Sequence, residues 1–213
     1  MESNNCSDQK TDVNETHPFR PFIPTGAKLL MCGTFPPQPR RWSMNFYYPN
    51  YINDMWRIFG IIFHENKDYF VDTENKTFHL NELKECLTKL GIALSDTGRT
   101  VVRTTGNASD KDLDIREHID LSALLSEIPE CVSLATTGEK AASVIAKITD
   151  TDIPKVGEYV EIALTDSIGV ERRLTHWRMP SSSRAYPMPL DKKASLYAKM
   201  FKSLDIHYPI EQE

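Results

Sequence analysis

The chain has 213 residues, 40% of them hydrophobic and 26% charged, so it is long enough to bury one substantial core. Its 25 basic and 30 acidic residues give a formal net charge of −5, which argues against bulk coating of nucleic acid or of an anionic membrane. A local basic groove is compatible with that balance, because steering depends on where the charges lie. No stretch reaches the roughly 20 apolar residues that a membrane-spanning helix needs.

The first residues, MESNNCSDQKTDVNETH, are polar and lack the apolar run of a secretory signal. They predict a disordered lead-in over residues 1–17, followed by a single domain over residues 18–213. The cysteines show no metal-ligand spacing, and Cys32 and Cys131 lie within apolar runs that predict buried thiols. A reducing, cytoplasmic setting is expected, with no zinc or iron–sulfur site and no other cofactor.

Apolar runs alternate with amphipathic stretches along the chain. AKLLMCGTF (27–35) is a continuous apolar run, as expected of a buried parallel strand. After the proline-rich PPQPRRWSMNFYYPN, helical spacing predicts a helix from residue 50 or 52 to residue 63. The later predicted elements are helix 80–90, strand 91–96, helix 120–128 capped by Asp120, strand 131–138, helix 139–148, a hairpin of 159–166 and 172–179, and helix 190–204.

Strands that alternate with helices indicate a parallel sheet covered on both faces. The sequence therefore predicts an α/β protein, a three-layer α/β/α sandwich with a central, mainly parallel four-stranded sheet. In such sheets the ligand crevice lies beyond the carboxyl ends of the strands. Three segments are therefore predicted to line the ligand site: the loop after Phe35, the turn after Thr136 and the loop after Met179.

The loop after Phe35 combines arginines with aromatic residues, namely Arg40, Arg41, Trp42, Phe46, Tyr47, Tyr48 and Tyr51. Such interleaving is suited to stacking on a nucleobase while phosphate is contacted. The alternative is a loop folded over the core, which is the commoner fate of a single aromatic residue. Asn53 follows, and it is either a helix cap or an amide that orients a water molecule toward a sugar carbon.

The loop after Met179, PSSSRAYP (180–187), places three hydroxyls, one cation and one aromatic ring between prolines. Hydroxyls and cations contact phosphate oxygens, and flanking prolines limit the flexibility of the loop. The alternative is a serine run that is merely exposed to solvent. His176, on the preceding strand, is more simply a satisfied histidine than a catalyst.

Four segments resemble, in order, the motifs of the uracil-DNA glycosylase superfamily. LLMCGTFPP resembles the first motif, FYYPNYINDMW the aromatic segment with Asn-x-Phe-Trp, ATTGEKAA the turn after the third strand, and RMPSSSRAYP the Leu-Pro-Ser-x-Ser loop that presses into the DNA minor groove. The match runs from about Pro21 to the final helix. The pattern is nearest to the hypoxanthine-excising branch, whose Asn-x-Phe-Trp asparagine corresponds to Asn53 and whose Gly-Ile-x-Leu-x-Asp resembles GIALSD.

The chain also departs from the superfamily. Phe35 stands where the mismatch-specific uracil enzymes have a catalytic asparagine, and the Asp-Pro-Tyr of the best-known uracil enzymes is absent. Their His-Pro-Ser signature is replaced by Met179-Pro180-Ser181, so no catalytic histidine carries over. Ser95 stands where an aromatic residue is common.

The resemblance implies a monofunctional DNA N-glycosylase of base-excision repair, acting as a monomer on uracil or hypoxanthine flipped out of double-stranded DNA. It implies that Asn53 is catalytic and that the base contacts Thr34, Phe35, Phe46 and Tyr47. The DNA-contacting residues would be Arg40, Arg41, Ser181, Ser182, Ser183, Arg184 and Tyr186, with no metal. Two alternatives stay open: a catalytically inactive nucleic-acid-binding module of the same fold, and an N-glycosidase of free nucleosides.

Overall fold

The computed structural model describes residues 13–104 and 113–208. Its strands are β1 (Asn14–Thr16), β2 (Leu29–Gly33), β3 (Val71–Asp72), β4 (Thr77–Phe78), β5 (Ile92–Asp96), β6 (Gly98–Arg103), β7 (Leu113–His118), β8 (Ser133–Thr137), β9 (Glu158–Thr165) and β10 (Glu171–Met179). Its helices are α1 (Met55–His64), α2 (Leu80–Lys89), α3 (Leu121–Ser126), α4 (Glu139–Thr149) and α5 (Leu190–Ser203).

The central sheet has the strand order β5-β2-β8-β10-β9. The neighbours from β5 to β10 are parallel, whereas β9 pairs antiparallel with β10. The predicted mainly parallel sheet is therefore confirmed, but it has five strands rather than four. The difference arises because both arms of the predicted hairpin join the sheet, β9 as its edge strand.

Successive residues of β2 point to opposite faces of this sheet, as the pleat of a strand requires. Leu29 and Met31 pack into one apolar cluster with residues of α1, α2 and α5. Leu30 and Cys32 pack into a second cluster with residues of α3 and α4. The sheet is thus covered by helices on both faces, which confirms the three-layer arrangement.

A second sheet, with the order β1-β6-β7, was not predicted. Its first strand corrects the expected lead-in of residues 1–17, because residues 14–16 pair with β6 and His17 is buried. The polar side chains of this segment are compatible with a short edge strand whose backbone hydrogen bonds are made with β6. Residues 1–12 lie outside the described part of the chain.

Helix α1 begins at Met55, later than predicted, because residues 50–52 form a turn closed by a hydrogen bond from the Asn53 N–H to the Asn50 carbonyl. The Asp120 carboxylate accepts the Ala123 N–H, so the predicted cap of α3 is confirmed. Cys32 and Cys131 are buried free thiols, as predicted. Within residues 13–104 and 113–208, no helix is long and apolar enough to cross a membrane.

Candidate functional site

The parallel strands β2, β5, β8 and β10 end at one edge of the central sheet, which is where ligands bind in folds of this kind. The last residues of β2 and β5, Gly33 and Asp96, are neighbours in the register, as are Thr137 and Met179 at the ends of β8 and β10. The loops selected from the sequence therefore leave the sheet from the same side.

Gly33 is required at this edge by space rather than by its backbone conformation. A Cβ atom at this position would lie 2.5 Å from Oδ1 of Asp96 and 3.6 Å from the Tyr48 hydroxyl. The Tyr48 hydroxyl in turn lies 3.1 Å from Oγ1 of Thr137. Tyr48 adopts a positive φ of 50°, and its hydroxyl lies at the strand ends, whereas the Tyr47 ring is buried in the core.

Asp96 forms a buried pair with His17, whose Nε2 lies 2.8 Å from Oδ2 of the carboxylate. Burial raises the pKa of the Asp96 carboxyl, and the hydrogen bond from His17 acts in the opposite direction. Sequence reasoning missed His17, because it follows a polar segment that has no apolar pattern of its own. The pairing of β1 with β6 in the second sheet places His17 beside the carboxyl end of β5 in the central sheet.

The aromatic residues of the first loop are mostly turned into the core. Phe46 packs against Phe22 and Trp56, and Tyr47 is 2% exposed with its hydroxyl donated to the Arg20 carbonyl at 3.1 Å. These two rings do not form an exposed stacking platform, which corrects the expectation that they are free to hold a base. The aromatic residue of this group that reaches the strand ends is Tyr48.

Thr34 and Phe35 directly follow β2 and are both buried. The Phe35 ring packs against Val101 of β6 and lies under the guanidinium of Arg103, 5.6 Å from the ring centroid. The Phe35 side chain, which stands where the mismatch-specific uracil enzymes have a catalytic asparagine, is therefore held in a small apolar cluster with the second sheet. Only the backbone of this segment is left to contact a ligand.

Arg40 and Arg41 lie in the short turn Pro39–Arg41, and both are exposed. Neither forms an ion pair with any residue of the described ranges. Trp42 closes the turn by donating its indole N–H to the Pro37 carbonyl. The turn thus directs two uncompensated positive charges into solvent.

Asn53 is half-buried just before α1. Its Oδ1 accepts the Met55 N–H at 2.9 Å, so the capping role considered for this residue is present. Its Nδ2 has no hydrogen-bond partner in the part of the chain that the structure describes. Because an amide oxygen accepts two hydrogen bonds, Asn53 keeps one acceptor and two donors for another molecule.

The last loop is fixed through its carbonyl groups. Tyr197 of α5 donates its hydroxyl to the Pro180 carbonyl at 3.0 Å, and the Asp54 N–H donates to the Ser182 carbonyl at 2.9 Å. The second of these bonds joins the loop directly to the start of α1. Asn53 and the serine loop are therefore brought to one place, as the sequence predicted.

The Asp54 carboxylate strengthens this junction with two ion pairs. Its Oδ2 lies 2.9 Å from Nζ of Lys193, which is fully buried and also donates to the Ser183 carbonyl at 2.8 Å. Its Oδ1 lies 3.2 Å from Nε of Arg184, whose side chain is 55% exposed. Sequence reasoning missed Asp54 and Lys193, although Lys193 has the helical spacing of the buried residues Tyr197 and Met200, which could have placed it on the inner face of α5.

The predicted DNA-contacting side chains of this loop do not share one environment. Ser182 is buried, whereas Ser183 and Arg184 are exposed and Ser181 and Tyr186 are half-buried. The Ser181 hydroxyl accepts the Ser183 N–H, and the Ser183 hydroxyl accepts the Ala185 N–H, both at 3.2 Å. Four of the five side chains are thus at least partly open to solvent on a fixed backbone, and Ser182 is not.

His176 is fully buried, and its Nε2 lies 2.9 Å from Oγ1 of Thr136 on the neighbouring strand. Burial lowers the pKa of the imidazole from 6.5 to about 4. This histidine is therefore a core residue, but it is only partly the satisfied histidine that the sequence indicated, because its Nδ1 has no hydrogen-bond partner among the described residues. The described residues contain no cluster of three or more His, Cys, Asp or Glu side chains with the arrangement of a metal site.

No protein-family model matches the sequence, and no curated protein matches it either. Among solved structures, the chain is similar to a solution NMR structure of a protein from Methanosarcina acetivorans described as a "putative Uracil DNA glycosylase". The superposition has a TM-score of 0.58, with 20% identical residues, and covers 91% of this chain and 99% of the other. The chain therefore shares its fold with that protein, as the resemblance of the four motifs implied, and no particular branch is distinguished.

Proposed function

We propose that this protein is a DNA glycosylase of base-excision repair that hydrolyses the N-glycosidic bond of uracil or hypoxanthine in double-stranded DNA. The observation that carries the proposal is the junction at Asp54, which holds Asn53 and the serine loop together at the carboxyl edge of the sheet. The likeness to the structure from Methanosarcina acetivorans supports it, since that protein is described as a "putative Uracil DNA glycosylase".

In this proposal Asn53 is the catalytic residue. The hydrogen bond from the Met55 N–H fixes its side chain, so its remaining acceptor and donors are positioned before a ligand arrives. They would hold a water molecule against the anomeric carbon as the base departs. Since the transition state of glycoside cleavage is oxocarbenium-like, placement of charge and water contributes more than covalent chemistry.

The base would leave the duplex before cleavage, at a cost of a few kcal/mol that is smallest at a mismatched or damaged pair. Thr34 and Phe35 would read its edge through their backbone groups, because their side chains are buried. Tyr48, rather than Phe46 or Tyr47, is the ring best placed to contact it. Arg184 or Tyr186 would fill the space that the base vacates.

The DNA backbone would be held by Arg40 and Arg41 on one side and by the hydroxyls of Ser181 and Ser183 on the other. Hydrogen bonds and charges of this kind position a duplex without reading its sequence. The excess of acidic residues elsewhere limits binding to this edge of the protein. We further propose that the protein acts as a monomer in the cytoplasm.

The proposal is tested with duplexes that carry uracil, hypoxanthine or xanthine, followed by alkaline cleavage of abasic sites. Asn53→Ala should lower the rate of base release by about a hundredfold or more, as loss of one preorganised polar group does. Asn50→Ala is the matched control, since Asn50 also accepts a backbone N–H two residues ahead, that of Ile52. Full activity of Asn53→Ala would refute the role of this residue.

The second candidate is a nucleic-acid-binding module that has the fold without the chemistry. It is favoured by Phe35, whose ring is packed into an apolar cluster at the position of the expected catalytic side chain. The same duplexes separate the two candidates. Binding without release of any of the three bases would favour the module over the glycosylase.

A further inference from the structure

The carboxylate of Asp54 has two cationic partners, one more than its charge requires. Nζ of Lys193 lies 2.9 Å from one oxygen, and Nε of Arg184 lies 3.2 Å from the other. The three residues belong to three segments: the start of α1, the first turn of α5 and the last loop. Together they carry one surplus positive charge at the carboxyl edge of the sheet.

The two cations differ in how firmly they are held. Lys193 is fully buried and donates a second hydrogen bond to the Ser183 carbonyl at 2.8 Å, so it has no route to solvent. More than half of the Arg184 side chain is in water, and its contact to Asp54 is made through Nε. The terminal nitrogens of its guanidinium are left to donate to an oxyanion such as phosphate.

Removing one partner from a buried charge pair is strongly destabilising, because the other charge is then left without compensation. Asp54 is 5% exposed and would suffer this penalty if Arg184 were its sole partner. Since Lys193 stays in place, Arg184 can leave Asp54 without stranding the carboxylate. Because Lys193 compensates the Asp54 carboxylate, Arg184 is available to bind another anion.

We infer that Arg184 exchanges between Asp54 in the free protein and a phosphate group of bound nucleic acid, and that Lys193 is the positioning residue that permits this exchange. The inference rests on the proposed function insofar as the phosphate belongs to DNA. Before binding, Asp54 holds the arginine beside the serine loop, which limits the conformations that have to be lost when phosphate is contacted.

The inference is tested by fluorescence anisotropy with an undamaged duplex. Arg184→Ala should weaken binding about tenfold, as loss of a charged hydrogen bond does. Lys193→Met should weaken it to a similar extent, because Arg184 then remains on Asp54 as its sole counter-charge. In both variants the slope of log affinity against log salt should fall by about one.

The double variant Asp54→Asn/Lys193→Met decides between exchange and simple support of the loop. It removes both buried charges, so Arg184 is free, and affinity and salt slope should return to at least their original values. If Lys193 merely supported the Ser183 carbonyl, the double variant would bind as weakly as Lys193→Met. Lys199→Met, an exposed lysine of the same helix paired with Glu158, is the control and should change neither quantity.

Binding by Lys193→Met that equals that of the original protein, or a double variant that stays weak, would overturn the exchange. If Lys193→Met does not fold, the charge-neutral double variant Asp54→Asn/Lys193→Met is informative by itself: its affinity should equal or exceed that of the original protein, and a lower affinity would reject the inference.

Base release is measured separately, so the two proposals can fail independently. The exchange pattern without release of any base would leave the inference standing and remove the glycosylase. Base release by the original protein together with unaffected binding by Lys193→Met would support the glycosylase and reject the exchange. A protein that binds no duplex would exclude both the glycosylase and the exchange.

Discussion

The loops after β2 and β10 leave the sheet at the same edge and both contain several prolines, yet they are stabilised in different ways. The first loop buries Phe46 and Tyr47 in the core, whereas Arg40 and Arg41 are exposed to solvent. The last loop is held by its carbonyl groups, while most of its side chains face outward.

This difference follows from what each loop has available to bury. Each aromatic side chain of the first loop removes about 150–250 Å² of surface from water when it packs, which is enough to fold the loop onto the core. A loop of serines has little apolar surface, so its backbone must be satisfied by neighbouring donors. For the last loop those donors are Asp54, Lys193 and Tyr197, all of them buried. An exposed polar loop can therefore be as fixed as an apolar one.

The largest effect expected from this contrast concerns the stability of the first loop. Phe46→Ala should lower the free energy of unfolding by about 3–5 kcal/mol, because it removes a buried ring from the main core. Tyr186→Ala, in the last loop, should change it by no more than about 0.5 kcal/mol. Urea denaturation of both variants measures the difference. Similar losses for the two residues would mean that the loops are not stabilised differently.

The central sheet could be predicted because continuous apolar runs such as AKLLMCGTF have few alternatives to a fully buried strand. The second sheet could not. Strands β1, β6 and β7 are short and rich in polar residues, and the pairing of β1 with β6 brings together residues that are far apart in sequence. The contact between His17 and Asp96 spans 79 positions, and no local pattern reports it.

Local sequence patterns likewise showed only part of the candidate site. The order of the motifs located Asn53 and the serine loop, because each motif is a local run of residues. The composition of the first loop showed that aromatic residues were present but not which way they face: Phe46 and Tyr47 pack into the core, whereas the Tyr48 hydroxyl lies beside Thr137 at the strand ends. The pair of Asp54 and Lys193 spans 139 positions, so no local pattern shows that a carboxylate lies opposite this lysine on the buried face of α5.

A smaller effect on stability is expected when the pH is lowered and the imidazole of His176 on β10 becomes protonated. His176 of β10 has its pKa lowered from 6.5 to about 4 by burial, so between these values the unfolded chain binds a proton that the folded chain does not. Stability is therefore retained above pH 6.5 and lost as the pH falls, by about 2 kcal/mol between pH 7 and pH 5.

His176→Gln should remove this part of the pH dependence, since the amide does not titrate. Urea denaturation at the two pH values, with and without the substitution, isolates the contribution of the histidine. An equal loss of stability in both proteins would assign the acid sensitivity to other groups.

The smallest effect on stability is expected for the exposed arginines of the first loop. Because Arg40 and Arg41 make no ion pair with a described residue, the double substitution Arg40→Ala/Arg41→Ala should change the free energy of unfolding by less than about 0.5 kcal/mol. Its effect should fall on DNA binding instead, where the salt slope should decrease by about two, one for each phosphate contact.

Arg173→Ala is the control for this variant, because that side chain is 84% exposed and lies near the amino-terminal end of β10, away from the carboxyl edge. It should leave the salt slope unchanged. Equal slopes for Arg40→Ala/Arg41→Ala and for the original protein would place the DNA backbone elsewhere. The first loop would then contribute to folding alone, and phosphate binding at this edge would depend on Arg184 and the serine hydroxyls of the last loop.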